Sequence, residues 1–100
     1  MRILKRNTVR DYAAKHARPR AALAIWEQRT AAAKWQSPND VLQDFKSAKV
    51  LNGERVRFEI GDNHRLIAAF HFPSQVAYIK FIGTHAEYDA IKDVLTVDLY

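Results

Sequence analysis

The segment Gly83-Thr84-His85-Ala86-Glu87-Tyr88-Asp89 carries the densest chemistry in this 100-residue chain. It sets an imidazole in the first turn of a helix directly after a strand. Thr84 and Glu87 are spaced as a capping box, and Tyr88 lies one turn from His85. A helix N-terminus offers free N–H groups and positive partial charge, which disfavour imidazolium and attract phosphate. A neutral imidazole, a phenol and such a helix end would suit proton transfer at a phosphate. The competing reading is structural, with His85 as a capping residue and Tyr88, Ile91 and Leu95 facing a core.

Two cations stand inside strand patterns. His64 to Phe72 divides into Leu66, Ala68, Phe70 and Phe72 on one face and Arg65, Ile67, Ala69 and His71 on the other. Both faces are partly apolar, which marks a central strand and leaves Arg65 either a rim residue or a cation in a cleft. Val76, Tyr78, Lys80 and Ile82 share the face opposite Ala77, Ile79 and Phe81 in the next strand. An unpaired buried ammonium is costly, so Lys80 must meet water, a carboxylate or a bound anion.

Other chemistries find no support. His16, His64 and His71 lack metal-ligand spacing, so no metal site and no cofactor are expected. With no cysteine, disulfides, thiolate metal sites and cysteine nucleophiles are impossible. Only three glycines are present, and neither a Gly-rich phosphate loop nor Gly-x-Ser-x-Gly occurs.

The positioning elements follow from periodicity. Sixteen Lys and Arg against eleven Asp and Glu give a net charge of +5, which favours an anionic partner, nucleic acid first. Thr8 is expected to cap a helix through about His16, and Pro19 to open a second one through about Trp35. Ser37 and Pro38 start a short third helix carrying Val41, Leu42 and Phe45. Asn52-Gly53 then signals a type I′ hairpin, Gly61-Asp62-Asn63 and Pro73-Ser74-Gln75 two further turns, and a helix follows from His85.

The reading is α+β: N-terminal helices on a four-stranded, mainly antiparallel sheet with a short C-terminal helix. One domain over residues 1–100 is expected, helical over about 1–46, with sheet and terminal helix over about 47–100. No window reaches the roughly 18 apolar residues of a membrane span, and no signal peptide is seen. A cytoplasmic location without membrane attachment is expected.

Arg55-Val56-Arg57-Phe58-Glu59-Ile60, Asn63-His64-Arg65-Leu66-Ile67, Tyr78-Ile79-Lys80-Phe81 and Gly83 to Asp89, in that order, resemble the HigB toxin family. The likeness is dense over Lys46 to Asp89 and looser before it. It implies the RelE/ParE-like fold and ribosome-associated mRNA cleavage without a metal. It also implies a HigA-type helix-turn-helix antitoxin partner, with operator DNA bound only through their complex.

The family's Asn-x-Arg element falls on Asn63, His64 and Arg65, with His64 where a Tyr is frequent. Lys80 matches the basic residue of the penultimate strand, and His85 and Tyr88 the terminal motif. Arg57 and Lys46 match further basic positions. The resemblance thus implies catalysis by His85, Arg65, Lys80 and Tyr88, with Arg57, Lys46, Asn63 and His64 holding RNA. Two rivals stand beside it: a non-nuclease toxin or remnant of the same fold that acts by protein binding, and an RNA-binding module that stacks bases on Tyr78 and Phe81.

Overall fold

A computed structural model describes residues 1–100. In chain order it contains β1 (Arg2–Leu4), α1 (Arg6–Lys15), α2 (Arg20–Ala32), α3 (Pro38–Asp44), β2 (Lys49–Val50), β3 (Arg55–Ile60), β4 (His64–His71), β5 (Val76–Thr84) and α4 (His85–Asp89). The strands form one sheet in the order β1-β5-β4-β3-β2, antiparallel except for β1, which runs parallel to β5. The α+β class holds, but the sheet has five strands and is mixed. β1 escapes the pattern because it is three residues long and only Ile3 is buried, so there is no alternation to read.

Helix ends also differ from expectation. α1 starts at Arg6, behind Lys5 in a left-handed conformation (φ 66°), and Thr8 is inside its first turn. α2 stops at Ala32 because Ala33 turns extended. The Met1 ammonium donates to the carbonyls of Thr30, Ala31 and Ala33, satisfying acceptors that the ended helix leaves open. Trp35, expected as the last helical residue, instead folds onto the core, its indole N–H donating to Asp44 at 2.7 Å. Its ring meets Phe45 and Phe70 edge-on.

Asn52-Gly53 does turn the chain, though not as a type I′ turn, since neither residue has a positive φ. The Asn52 carboxamide oxygen accepts from the N–H groups of Glu54 and Arg55 at 2.9 and 2.7 Å, closing a wider turn. β2 pairs with β3 only through Lys49 and Val50.

Alternation sorts the sheet into two faces. Val56, Phe58, Ile60, Leu66, Ala68 and Phe70 pack under the helices against Val9, Leu23, Trp26 and Val41. The other face carries Arg55, Arg57, Glu59, Arg65, Ile67 and Ala69. On β5 the expected phase fails: Ile67 opposes Phe81 and Ala68 opposes Ile79, so Lys80 is an extra residue in a bulge. Ile82 therefore joins Ala77 and Ile79 in the helix-side core, while Phe81 turns to the other face.

Residues 90–100 follow α4 without regular structure and cross this second face. Arg55 is buried there and donates to the carbonyls of Val94 and Val97 at 3.1 and 2.8 Å. The Leu99 N–H donates to the Lys80 carbonyl on the part of the β5 edge that β1 does not reach. Leu95 and Leu99 are exposed rather than facing a core. No helix is long and apolar enough to cross a membrane.

Candidate active site

The second face of the sheet brings three of the expected residues together. Arg57 on β3 and Arg65 on β4 both point to Glu59, their guanidinium Nη2 atoms 3.8 and 3.7 Å from the same carboxylate oxygen. These separations exceed hydrogen-bond length, so the two Nη2 donors are oriented without being consumed, while Arg65 Nη1 donates to the His64 carbonyl at 2.9 Å. The Nε of each arginine is buried and has no partner. Buried guanidinium donors are ordinarily paired, and these two are left in want of an acceptor.

Aromatic rings hold the group from beside. The Arg57 guanidinium carbon lies 5.9 Å from the Tyr88 ring centre. Tyr88 in turn stacks on Phe81 at 6.2 Å, and Phe81 reaches this face only because of the bulge at Lys80. Gly83 is paired with Arg65, and a Cβ there would lie 2.7 Å from the Phe81 ring. A larger residue at 83 would push the ring out of this stack.

α4 sets His85 at the same end. Thr84 and Glu87 form the expected capping box, with Glu87 N–H donating to the Thr84 hydroxyl and Thr84 N–H to the Glu87 carboxylate. Those bonds hold the Glu87 carboxyl below the usual carboxylate range. The His85 N–H donates to the Asn63 carbonyl at 2.8 Å, which ties the start of α4 to the start of β4. The anion-receptive helix end expected from sequence is thereby corrected: most of its donors are used, and a carboxylate sits among them. The His85 side chain is half-exposed, with Nδ1 3.6 Å from Asp89.

The remaining candidates lie elsewhere. Lys80 is bonded to Asp98 of the C-terminal segment at 3.1 Å, and its ammonium is 5.6 Å from the Tyr78 ring. His64 is buried on the helix side, its ring edge-on to Tyr12, which stacks on His16. Burial first, then the nearby His16 and Arg18, lower the His64 pKa. Lys46 is exposed between α3 and β2, and Asn63 meets the site through its carbonyl alone. Phe81 is buried and cannot stack a base. No three His, Asp or Glu side chains converge as metal ligands would.

Sequence reasoning missed Glu59 and Lys49. Glu59 shares a face with Arg57 on β3 and is paired with Arg65, a relation visible only once strand register is known. Lys49 is paired with Arg57 across β2 and β3, on the same face. Lys49 and Arg57, with Glu59 and Arg65 one row on, set three cations and a carboxylate on one face of the sheet.

No curated protein sequence matches the chain closely enough to count as a relative. A family model does match, over residues 19–91, and it describes the RelE-like toxic component of a toxin–antitoxin system. That span holds both arginines, Glu59, Lys80 and all of α4. Covering well over half the chain, it shows that this protein belongs to the HigB toxin family.

Proposed function

We propose that this HigB-family toxin is an endoribonuclease that inhibits translation by cleaving mRNA, in the cytoplasm and in association with the ribosome, and that a helix-turn-helix antitoxin neutralises it. The observation that carries the reading is the convergence of Arg57 and Arg65 on Glu59, with both Nε donors unpartnered and Tyr88 against Arg57. Two guanidiniums held on one face are suited to a phosphodiester, each able to form paired charge-assisted hydrogen bonds.

In the proposed reaction the RNA 2′-hydroxyl attacks the adjacent phosphorus. Its proton passes to a base, the bond to the 5′-oxygen breaks, and an acid protonates that oxygen. The products are a 2′,3′-cyclic phosphate and a free 5′-hydroxyl. Glu59 and His85 supply the two groups able to carry a proton, each role being worth roughly 10²–10⁴-fold in rate. Arg57 and Arg65 stabilise charge on the phosphoryl oxygens, and Tyr88 orients Arg57.

Lys80 can join the phosphate only after leaving Asp98. Primer extension on a translated mRNA, with and without the toxin, tests the reading. New stops that vanish with His85→Gln support it. Growth arrest without any new stop would favour the rival in which the toxin acts through protein binding alone.

A further inference from the structure

The segment after α4 is fastened to the sheet by charge and backbone groups more than by packing. None of residues 90–100 is fully buried, and a cavity of about 420 Å³ opens beneath them, walled by Phe81, Ile82, Ile91, Val97 and Leu99. A short set of polar contacts holds the segment down. Arg55 donates to the carbonyls of Val94 and Val97, the Leu99 N–H to the Lys80 carbonyl, and the Lys80 ammonium to Asp98. Tyr100 lies half-buried against the helix-side core. Stretches with few buried apolar contacts and exposed polar bonds are those that open at the least free energy.

Both side chains that it engages are cations beside the candidate site. Arg55 stands two residues from Arg57 on the same face of β3, about 7 Å along the strand. Lys80 precedes Phe81, whose ring stacks on Tyr88. Arg55 is buried yet forms no ion pair, and the two carbonyls of the segment are its guanidinium's partners. A buried guanidinium held by carbonyls alone still lacks an anion. Asp98 feels both cations, its carboxyl being held down by Lys80 first and by Arg55 last. The segment thus presents a carboxylate and two carbonyl oxygens to groups that would equally accept the oxygens of a phosphodiester.

We propose that residues 90–100 are an autoinhibitory strap: they occupy Arg55 and Lys80 in the free protein, and a single-stranded RNA displaces them so that both cations join Arg57 and Arg65 on its phosphates. The inference deepens the RNA-cleaving reading and rests on it for the choice of RNA among polyanions. Opening the strap strips Arg55 of its two carbonyls and Lys80 of its carboxylate, and the incoming phosphates replace them. Each cation therefore trades one acceptor for another, and only the difference reaches the affinity. The fraction of molecules with the strap open scales the apparent affinity in the same way.

The test uses a single-stranded 2′-O-methyl RNA, which binds without being cleaved, with affinity read by fluorescence anisotropy and strap opening by amide hydrogen exchange. Asp98→Asn is expected to raise affinity about two- to five-fold, the reach of one exposed ion pair, and the gain should disappear on a Lys80→Gln background. Asp93→Asn makes the same charge change in the same segment, but Asp93 pairs with no cation, and affinity should stay nearly unchanged. Saturating the wild type with the probe should speed exchange at the Leu99 amide as its bond to the Lys80 carbonyl is lost. An affinity that Asp98→Asn does not raise, that Asp93→Asn raises equally, or that gains as much without Lys80 would overturn the strap. So would a Leu99 amide that exchanges no faster in the complex. All four results would leave RNA cleavage standing, whereas failure of the wild type and Asp98→Asn alike to bind the probe would overturn both.

Discussion

Lys80 Nζ stands 3.1 Å from Asp98 Oδ2, and this ion pair draws the lysine out of the group formed by Arg57, Arg65 and Tyr88. The ammonium holds the Asp98 carboxyl below its usual range. The pair is exposed on the aspartate side, where water and salt screen it, so it fixes geometry more than stability. Lys80→Gln is accordingly expected to lower the cleavage rate less than ten-fold, against roughly a hundred-fold or more for Arg65→Gln. Equal losses in single-turnover cleavage would return Lys80 to the centre of the site.

Gly83 is required for its size. A Cβ there would meet Phe81 ring atoms at 2.7 and 2.9 Å and a Glu87 oxygen at 3.1 Å. Gly83→Ala is expected to cost about 1–3 kcal/mol through overpacking, and to reduce cleavage as the Phe81–Tyr88–Arg57 stack shifts. Thermal unfolding with a cleavage assay checks both, and an unchanged midpoint would show that Phe81 yields freely.

The capping box makes a graded prediction. Thr84→Ala removes the acceptor for the Glu87 N–H and is expected to cost about 0.5–2 kcal/mol. Because α4 is only five residues long, the loss should also loosen His85 and lower cleavage more than stability alone explains. Denaturant melts and cleavage rates below the transition separate the two effects.

His64 predicts a pH dependence with a definite sign. Its folded pKa is lowered from 6.5, by burial first and then by His16 and Arg18, against the opposing pull of Glu87 and Asp62. The unfolded chain therefore takes up this proton more readily than the folded one. The His64 contribution is complete above pH 6.5 and is lost as pH falls from there toward the lowered value. The thermal midpoint should drop between pH 7.5 and 5.5, and His64→Leu should flatten that drop. An equal drop in the variant would trace the effect to other groups.

What could be read from the chain, and what could not, divides along the range of the forces. The Thr84–Glu87 capping box, the Ser37-Pro38 helix start and the alternation of Val56, Phe58 and Ile60 are local, and all appear in the fold. Strand β1 depends on pairing with Val76–Tyr78, over seventy residues away, and has too few residues to leave a pattern. The bulge at Lys80 reverses the phase of β5 midway, so strict alternation put Ile82 and Phe81 on the wrong faces. His64 was expected beside Arg65's RNA contacts, yet neighbours in a strand point to opposite sides. Glu59 drew no notice because an acid that follows two arginines on one strand reads as solvated charge until register brings Arg65 beside it.

The central claim is that the sheet face holding Arg57, Glu59, Arg65 and Tyr88, with His85 beside it, cleaves RNA by internal attack of the 2′-hydroxyl. The most direct measurement is the chemistry of the cleaved ends, by mass spectrometry of RNA from a translation reaction given purified toxin or its folded Arg65→Gln/His85→Gln variant. Ends bearing 2′,3′-cyclic phosphate and 5′-hydroxyl with the wild type, and none with the variant, are predicted. Undiminished cleavage by the variant, or 3′-hydroxyl and 5′-phosphate ends from the wild type, would contradict it.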